Sequence, residues 1–169
     1  MSLTQVRHVM SELNFNGMLQ SIEETTAQVQ GGTLSFLEGV DFLCQAEKQH
    51  RTKKAMISRI GRSKIRRGAS LEDFDLTKTR QVAKSQLKEL ETLNWCDEGR
   101  PLILIGPTGI GKTYLARALG LRACEAGKLV LFMTVTEFLE HQALVRGAGT
   151  YLKFREKLVK PDLLILDLW

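Results

Sequence analysis

Apolar positions recur along this chain with two different rhythms. From Leu3 to Ile22, the residues Leu3, Val6, Met10, Leu13, Met18, Leu19 and Ile22 fall mostly three or four positions apart. That spacing lines one face of a helix. The run breaks around Asn14-Phe15-Asn16-Gly17, which predicts two short helices joined by a turn. After a second break at Gly31-Gly32-Thr33, either Thr33 or Ser35 can cap a helix with the stripe Phe36, Leu37, Val40, Leu43 and Cys44. Met56, Ile57 and Ile60 continue it, and Gly61 is expected to end or kink it. Leu71-Glu72-Asp73-Phe74-Asp75-Leu76 reads as an extended connector docked by Leu71, Phe74 and Leu76. Helical spacing returns over 78–93 through Val82, Leu87, Leu90 and Leu93, and Trp95 is expected in the turn that follows.

Beyond Arg100 the pattern changes. Short unbroken apolar runs at Leu102-Ile103-Leu104-Ile105, Leu129-Val130-Leu131-Phe132-Met133 and Leu163-Leu164-Ile165-Leu166 predict three buried strands. Between them lie helical stretches: Tyr114 to Cys124, ended by Gly127; one capped by Thr134 or Thr136; and Tyr151 to Leu158, stopped by Pro161. Strands alternating with helices predict an α/β fold with a parallel sheet. The expected organisation is a helical region over 1–68, a connector over 69–77 and an α/β domain over 78–169.

The junction of the first strand and its helix carries the chemistry. Gly106-Pro107-Thr108-Gly109-Ile110-Gly111-Lys112-Thr113 fits the phosphate-loop pattern G-x-x-x-x-G-K-[ST] at every fixed position. Successive backbone N–H groups must wrap an anion, and glycine permits the conformations and close approach this needs. The following helix turns its positive end toward the same anion. Lys112 is expected to reach the β- and γ-phosphates of a nucleotide as a point charge, and the Thr113 hydroxyl to ligate Mg²⁺. Asp167, which closes the last apolar run, has the Walker B pattern, a carboxylate at the end of a buried strand that reaches the metal. Lys112 and Asp167 are the candidate catalytic residues, and Thr113 and Asp167 the candidate metal ligands. Hydrolysis is not predicted. Leu168 occupies the place where this class carries the acid that orients water, and no arginine finger is identified.

Charge adds a second site. The chain carries a net +5, yet nine Lys and Arg and no acid lie between Lys48 and Arg67. The rest holds fifteen basic against nineteen acidic residues. Lys53, Lys54, Arg59, Arg62, Lys64, Arg66 and Arg67 are therefore candidate contacts to a nucleic-acid backbone, the alternative being a solvated helix face. No aromatic residue is interleaved with them, so non-specific duplex contact fits better than base stacking. Cys44, Cys96 and Cys124 are odd in number and far apart, which predicts free, buried or half-buried thiols rather than a disulfide framework or zinc site. No apolar run reaches bilayer-spanning length, and Met1 to His8 lacks the features of a signal peptide, so a cytoplasmic protein is expected.

The phosphate loop, the run Leu93-Asn94-Trp95-Cys96-Asp97-Glu98-Gly99, the connector Ala69-Ser70-Leu71-Glu72-Asp73-Phe74-Asp75 and Lys160-Pro161-Asp162-Leu163-Leu164-Ile165-Leu166-Asp167 together resemble the IstB family. Its members are insertion-sequence ATP-binding proteins, AAA+ helpers of transposition similar to the DnaC helicase loader. The resemblance implies a P-loop NTPase sheet flanked by helices, ATP and Mg²⁺ as cofactors, DNA and the transposase of the same element as partners, and homo-oligomers on DNA. It also implies a second acid after Asp167 and further strands, so a C-terminally incomplete, hydrolysis-deficient copy is expected here. A helicase loader would be expected to carry a partner-binding rather than basic N-terminal segment. A DNA-binding fragment without catalysis would be expected to fold only in its helical part.

Overall fold

A computed structural model of the protein describes residues 2–74, 82–147 and 149–168. It is rich in helices, with a small parallel sheet. Two compact units divide it, Met1–Ile57 and Ser58–Trp169.

The first unit holds α1 (Leu3–Glu12), α2 (Asn16–Gln30) and most of α3 (Phe36–Ser63). The turn predicted at residues 14–17 is present, with Asn14 at φ 58°. Of the two cap candidates for α3, Ser35 is the one used. Its Oγ accepts the Glu38 N–H at 3.3 Å, and its own N–H donates to Glu38 Oε2 at 2.7 Å, a reciprocal box that closes the helix start. The joint between α2 and α3 turns on Gly17 and Glu47. Glu47 is 5% exposed, and its carboxylate accepts the N–H groups of Gly17 at 2.6 Å and Met18 at 3.3 Å, so it caps the α2 N-terminus from another helix. Arg51 donates its Nε–H to the same carboxylate at 2.7 Å and lies over the Phe15 ring. Burial acts to raise the Glu47 pKa, but Arg51 and the two N–H groups outweigh it, and the carboxyl titrates below its ordinary range.

Gly61 does not end α3. The helix passes through it and stops where Lys64 turns left-handed at φ 63°. Ser63, fully buried, donates its hydroxyl to the Ile60 carbonyl and accepts the Ile65 N–H, which stabilises that stop locally.

The second unit contains the end of α3, α4 (Lys84–Glu91), α5 (Asn94–Asp97), α6 (Lys112–Glu125), β1 (Val130–Thr134), α7 (Val135–Gly147), α8 (Tyr151–Val159) and β2 (Leu163–Asp167). The strands pair in parallel, Val130 opposite Leu163 and Thr134 opposite Asp167. Ile65, Leu93, Ala123, Cys124, Val130 and Phe132 form the core beneath α6. Thr134 caps α7, accepting the Glu137 N–H at 3.1 Å and donating its own N–H to Glu137 Oε2 at 2.8 Å. That backbone donation holds the Glu137 carboxyl below its ordinary pKa. Trp95 lies in α5 rather than in a turn, and its indole N–H donates to the Leu90 carbonyl at 3.0 Å.

One predicted strand is not formed. Residues 101–107 belong to no strand, and Ile103 and Ile105 are 76% and 88% exposed. An isolated extended segment cannot satisfy its own N–H and C=O groups. Among the described residues no strand pairs with it, so an apolar run alone does not make a strand there. The thiols also differ from expectation: Cys124 is buried and Cys96 half-buried, but Cys44 is exposed. Burial pushes the Cys96 and Cys124 thiols up in pKa. Leu76 and the part of the predicted 78–93 helix over 78–81 lie outside the described residues.

Candidate functional site

The loop Gly106–Thr113 leads directly into α6, whose N-cap is Gly111. Gly109 and Gly111 take φ of +83° and +96°, a region that side chains rarely occupy, so the spacing of these two glycines is a backbone requirement. A Cβ at Gly106 would meet only ordinary van der Waals contact with Ile110. The Lys112 ammonium reaches back over the loop and donates to the carbonyls of Gly106 at 2.8 Å and Pro107 at 2.7 Å. These two hydrogen bonds hold the positive charge at the start of α6, where the helix end itself favours an anion. Pro107 and Thr108 are exposed, and Ile110 is half-buried.

Across from the loop, parallel pairing with β1 carries β2 to the same end of the sheet. Thr113 Oγ donates to Asp167 Oδ1 at 3.1 Å, joining residues 54 positions apart. The other carboxylate oxygen, Asp167 Oδ2, is buried and has no hydrogen-bond partner among the described residues. A buried carboxylate oxygen without a donor is costly unless a cation satisfies it. Because Thr113 gives its hydroxyl proton to Asp167, the lone pairs of its oxygen remain for a metal. The two side chains would therefore suit a divalent cation such as Mg²⁺. Among the described residues no cluster of three His, Cys, Asp or Glu could hold a metal unaided.

Two clefts flank the loop. One, of about 560 Å³, is lined by Phe74, Val82, Leu90, Trp95, Gly111 and Lys112 among others. The second, about 750 Å³, lies between Pro101–Leu104 and Leu163–Leu168 and also touches Gly106 and Lys112. Both lie in the size range of small-ligand sites. Leu168 follows Asp167 directly and is 83% exposed, so no carboxylate stands at that position.

The seven basic candidates differ in exposure. Lys53, Lys54, Arg62, Lys64, Arg66 and Arg67 are exposed. Arg59 is half-buried and donates its Nε–H to the Cys124 carbonyl at 3.0 Å, where it satisfies the C-terminal end of α6. Its place in a run of cations gave no sign of this, since the bond spans 65 positions. Tyr114 is a second residue that the motif does not single out. Its hydroxyl accepts the Ser70 N–H at 3.0 Å and its ring stacks on Phe74, which fastens the connector beside the loop. An aromatic residue directly after the Lys-Thr pair was the only signal.

A glycine loop with its lysine folded over it, a helix leading away and a strand-ending aspartate bonded to the loop threonine make up the site of the phosphate-loop class of nucleotide-binding proteins. The profile described as IstB-like ATP binding protein matches residues 8–169, and the chain belongs to that family. A protein of Mycobacterium tuberculosis, named as an ATP-binding protein in an insertion sequence, is 32% identical over 162 residues, 96% of this chain and 64% of its own length. The ATP-binding protein named for insertion sequence IS1162 of Pseudomonas fluorescens is 32% identical over 167 residues, 96% of this chain and 72% of its length. One from Sinorhizobium fredii, also named for an insertion sequence, is 31% identical over 160 residues, 95% of this chain and 65% of its length. The chain thus spans about two thirds of the length of these three relatives.

Proposed function

We propose that this protein binds ATP with Mg²⁺ as a helper of insertion-sequence transposition. The observation that carries this reading is the Thr113–Asp167 hydrogen bond with Asp167 Oδ2 left buried and unpartnered, beside a complete phosphate loop. The loop N–H groups and Lys112 hold the phosphates, Thr113 and Asp167 hold the metal, and the apolar cleft beside Phe74 and Gly111 takes the nucleoside. The family name and the names of the relatives support ATP as the nucleotide and an insertion sequence as the setting. When bound, the metal screens the phosphate charge, and Asp167 fixes where it sits. With Leu168 where the water-orienting acid would stand, the chain binds ATP without turning it over at a useful rate.

The test is a titration with a fluorescent ATP analogue, with and without Mg²⁺, alongside phosphate release from ATP. Binding strengthened by Mg²⁺, with turnover at background, is expected. Binding that ignores Mg²⁺ would remove Asp167 and Thr113 from the metal site, and clear turnover would show that Leu168 does not limit catalysis.

The exposed cations contact DNA backbone without reading sequence, and on this reading the transposase of the same element and further copies of the chain assemble there. No described helix is long and apolar enough to cross a membrane. Replacing Arg62, Arg66 and Arg67 with Ala is expected to flatten the slope of log affinity against log salt for duplex DNA by up to about 2.7, roughly 0.9 for each phosphate that is no longer neutralised. Arg59→Ala should lower the unfolding temperature instead, because Arg59 holds the end of α6. An unchanged slope in the triple variant would leave these arginines as a solvated surface.

A further inference from the structure

Tyr114 ties the connector to the phosphate-loop helix at a point adjacent to the residues that would hold nucleotide and metal. Its hydroxyl accepts the Ser70 N–H at 3.0 Å across 44 positions of chain. Its ring stacks on Phe74 with centroids 6.1 Å apart and planes 24° apart. The Phe74 edge is so close to the loop that a Cβ on Gly111 would sit 3.3 Å from it. Within this segment the connector is folded on itself: the Glu72 N–H donates to Ser70 Oγ at 3.1 Å and the Phe74 N–H to the Leu71 carbonyl at 3.3 Å. Gly68, at φ +101° with nothing near it, turns the chain into this segment. Ala69, Ser70, Leu71 and Phe74 are half-buried, whereas Arg66 and Arg67 just before them are exposed.

We propose that residues 68–74 form a strap latched by Tyr114, and that a nucleotide triphosphate on the phosphate loop tightens the latch. This rests on the nucleotide reading above. Tyr114 shares the first turn of α6 with Lys112 and Thr113. Phosphate and metal that order those two residues therefore also fix the ring on which the strap lies. Gly111 belongs to the loop and lies beside the Phe74 ring edge, so a loop closed around an anion keeps one geometry beneath the strap. Each interaction is small, but the two converge on one aromatic ring, and linkage makes the effect reciprocal: what steadies the strap also steadies the bound nucleotide. The strap continues from the basic residues Arg62 to Arg67. Its state therefore reports nucleotide occupancy to the stretch of chain proposed to meet DNA.

Trypsin provides the readout: Arg66 and Arg67 are exposed, but a protease must also take up several residues beyond the cut, and Ser70, three positions past Arg67, is held by Tyr114. The experiment follows cleavage there by mass spectrometry, with cuts after Lys53 and Lys54 as internal reference and the fluorescent nucleotide titration run on the same sample. Saturating ATP with Mg²⁺ is expected to slow cleavage severalfold in the wild-type chain. Tyr114→Phe keeps the ring and removes only the hydroxyl. It should speed cleavage of the nucleotide-free protein about three- to tenfold, the shift one hydrogen bond produces. Phe74→Ala, which removes the stacking partner, should act in the same direction. Nucleotide that binds without slowing the cut overturns the latch, and so does a Tyr114→Phe protein cut at the wild-type rate. Absence of binding in the titration overturns the nucleotide reading, and the latch with it, through a different measurement.

Discussion

Lys112→Ala is expected to lower ATP affinity by up to about 100-fold, the scale set by removing a charge-assisted interaction of up to about 3 kcal/mol. The size follows from the geometry of the loop. Lys112 Nζ is held by the Gly106 and Pro107 carbonyls, so its charge is already placed over the loop before any phosphate arrives. Without it those two carbonyl dipoles face the incoming anion with nothing to offset them, and only the N–H groups and the end of α6 remain attractive. The measurement is the fluorescent nucleotide titration, paired with thermal unfolding. ATP should raise the midpoint of the wild-type protein and leave the variant's midpoint where it is. Unchanged affinity in the variant would mean that the loop holds no phosphate.

Gly17→Ala is expected to be the most damaging single-atom change in the helical unit. A Cβ at residue 17 would lie 2.5 Å from the Ala46 carbonyl oxygen and 2.6 Å from Glu47 Cα. Both neighbours are backbone, so no side-chain rotation relieves the overlap and α2 must move away from α3. Overpacking of this kind costs about 1–3 kcal/mol. The displacement would also draw the Gly17 and Met18 N–H groups off Glu47, leaving a buried carboxylate short of donors. Hydrogen exchange over 16–30 and 36–57, with far-UV circular dichroism, would register the damage, and protection equal to wild type would disprove the close approach. The same joint has a predictable acid response. Glu47 titrates lower in the folded chain than unfolded, where about 4.3 is usual. Its contribution is therefore complete above that value and is lost as pH falls through the lower folded one. Glu47→Gln should remove this part of the acid dependence.

Much of the secondary structure was legible because it is written locally. The period of Leu3 to Ile22, the box at Ser35 and Glu38, the cap at Thr134 and Glu137 and the stop before Pro161 are all decided within a few residues, and the structure forms each. Where a local signal depended on a distant partner, it failed. Leu102-Ile103-Leu104-Ile105 has the composition of a buried strand, but a strand exists only when another pairs with it. Gly61 is a poor helix former, but its cost of about 1 kcal/mol is small beside the continuous helix around it. Arg59 looks like its cationic neighbours, and only the fold brings it to the Cys124 carbonyl.

For the candidate site the division is similar. Sequence by itself marked the candidate phosphate loop, because phosphate binding by such a loop would be done by consecutive backbone groups. The glycines that allow their geometry, Gly109 and Gly111, must then stand at fixed spacing. It also marked Asp167, as the polar end of an apolar run. Tertiary structure alone decided that Asp167 meets Thr113, that one of its oxygens stays buried without a donor, and that Tyr114 holds the connector to the loop. Those hydrogen bonds join residues 44 and 54 positions apart. No local rule sets such distances, because they depend on strand register and on how α6 lies against the sheet.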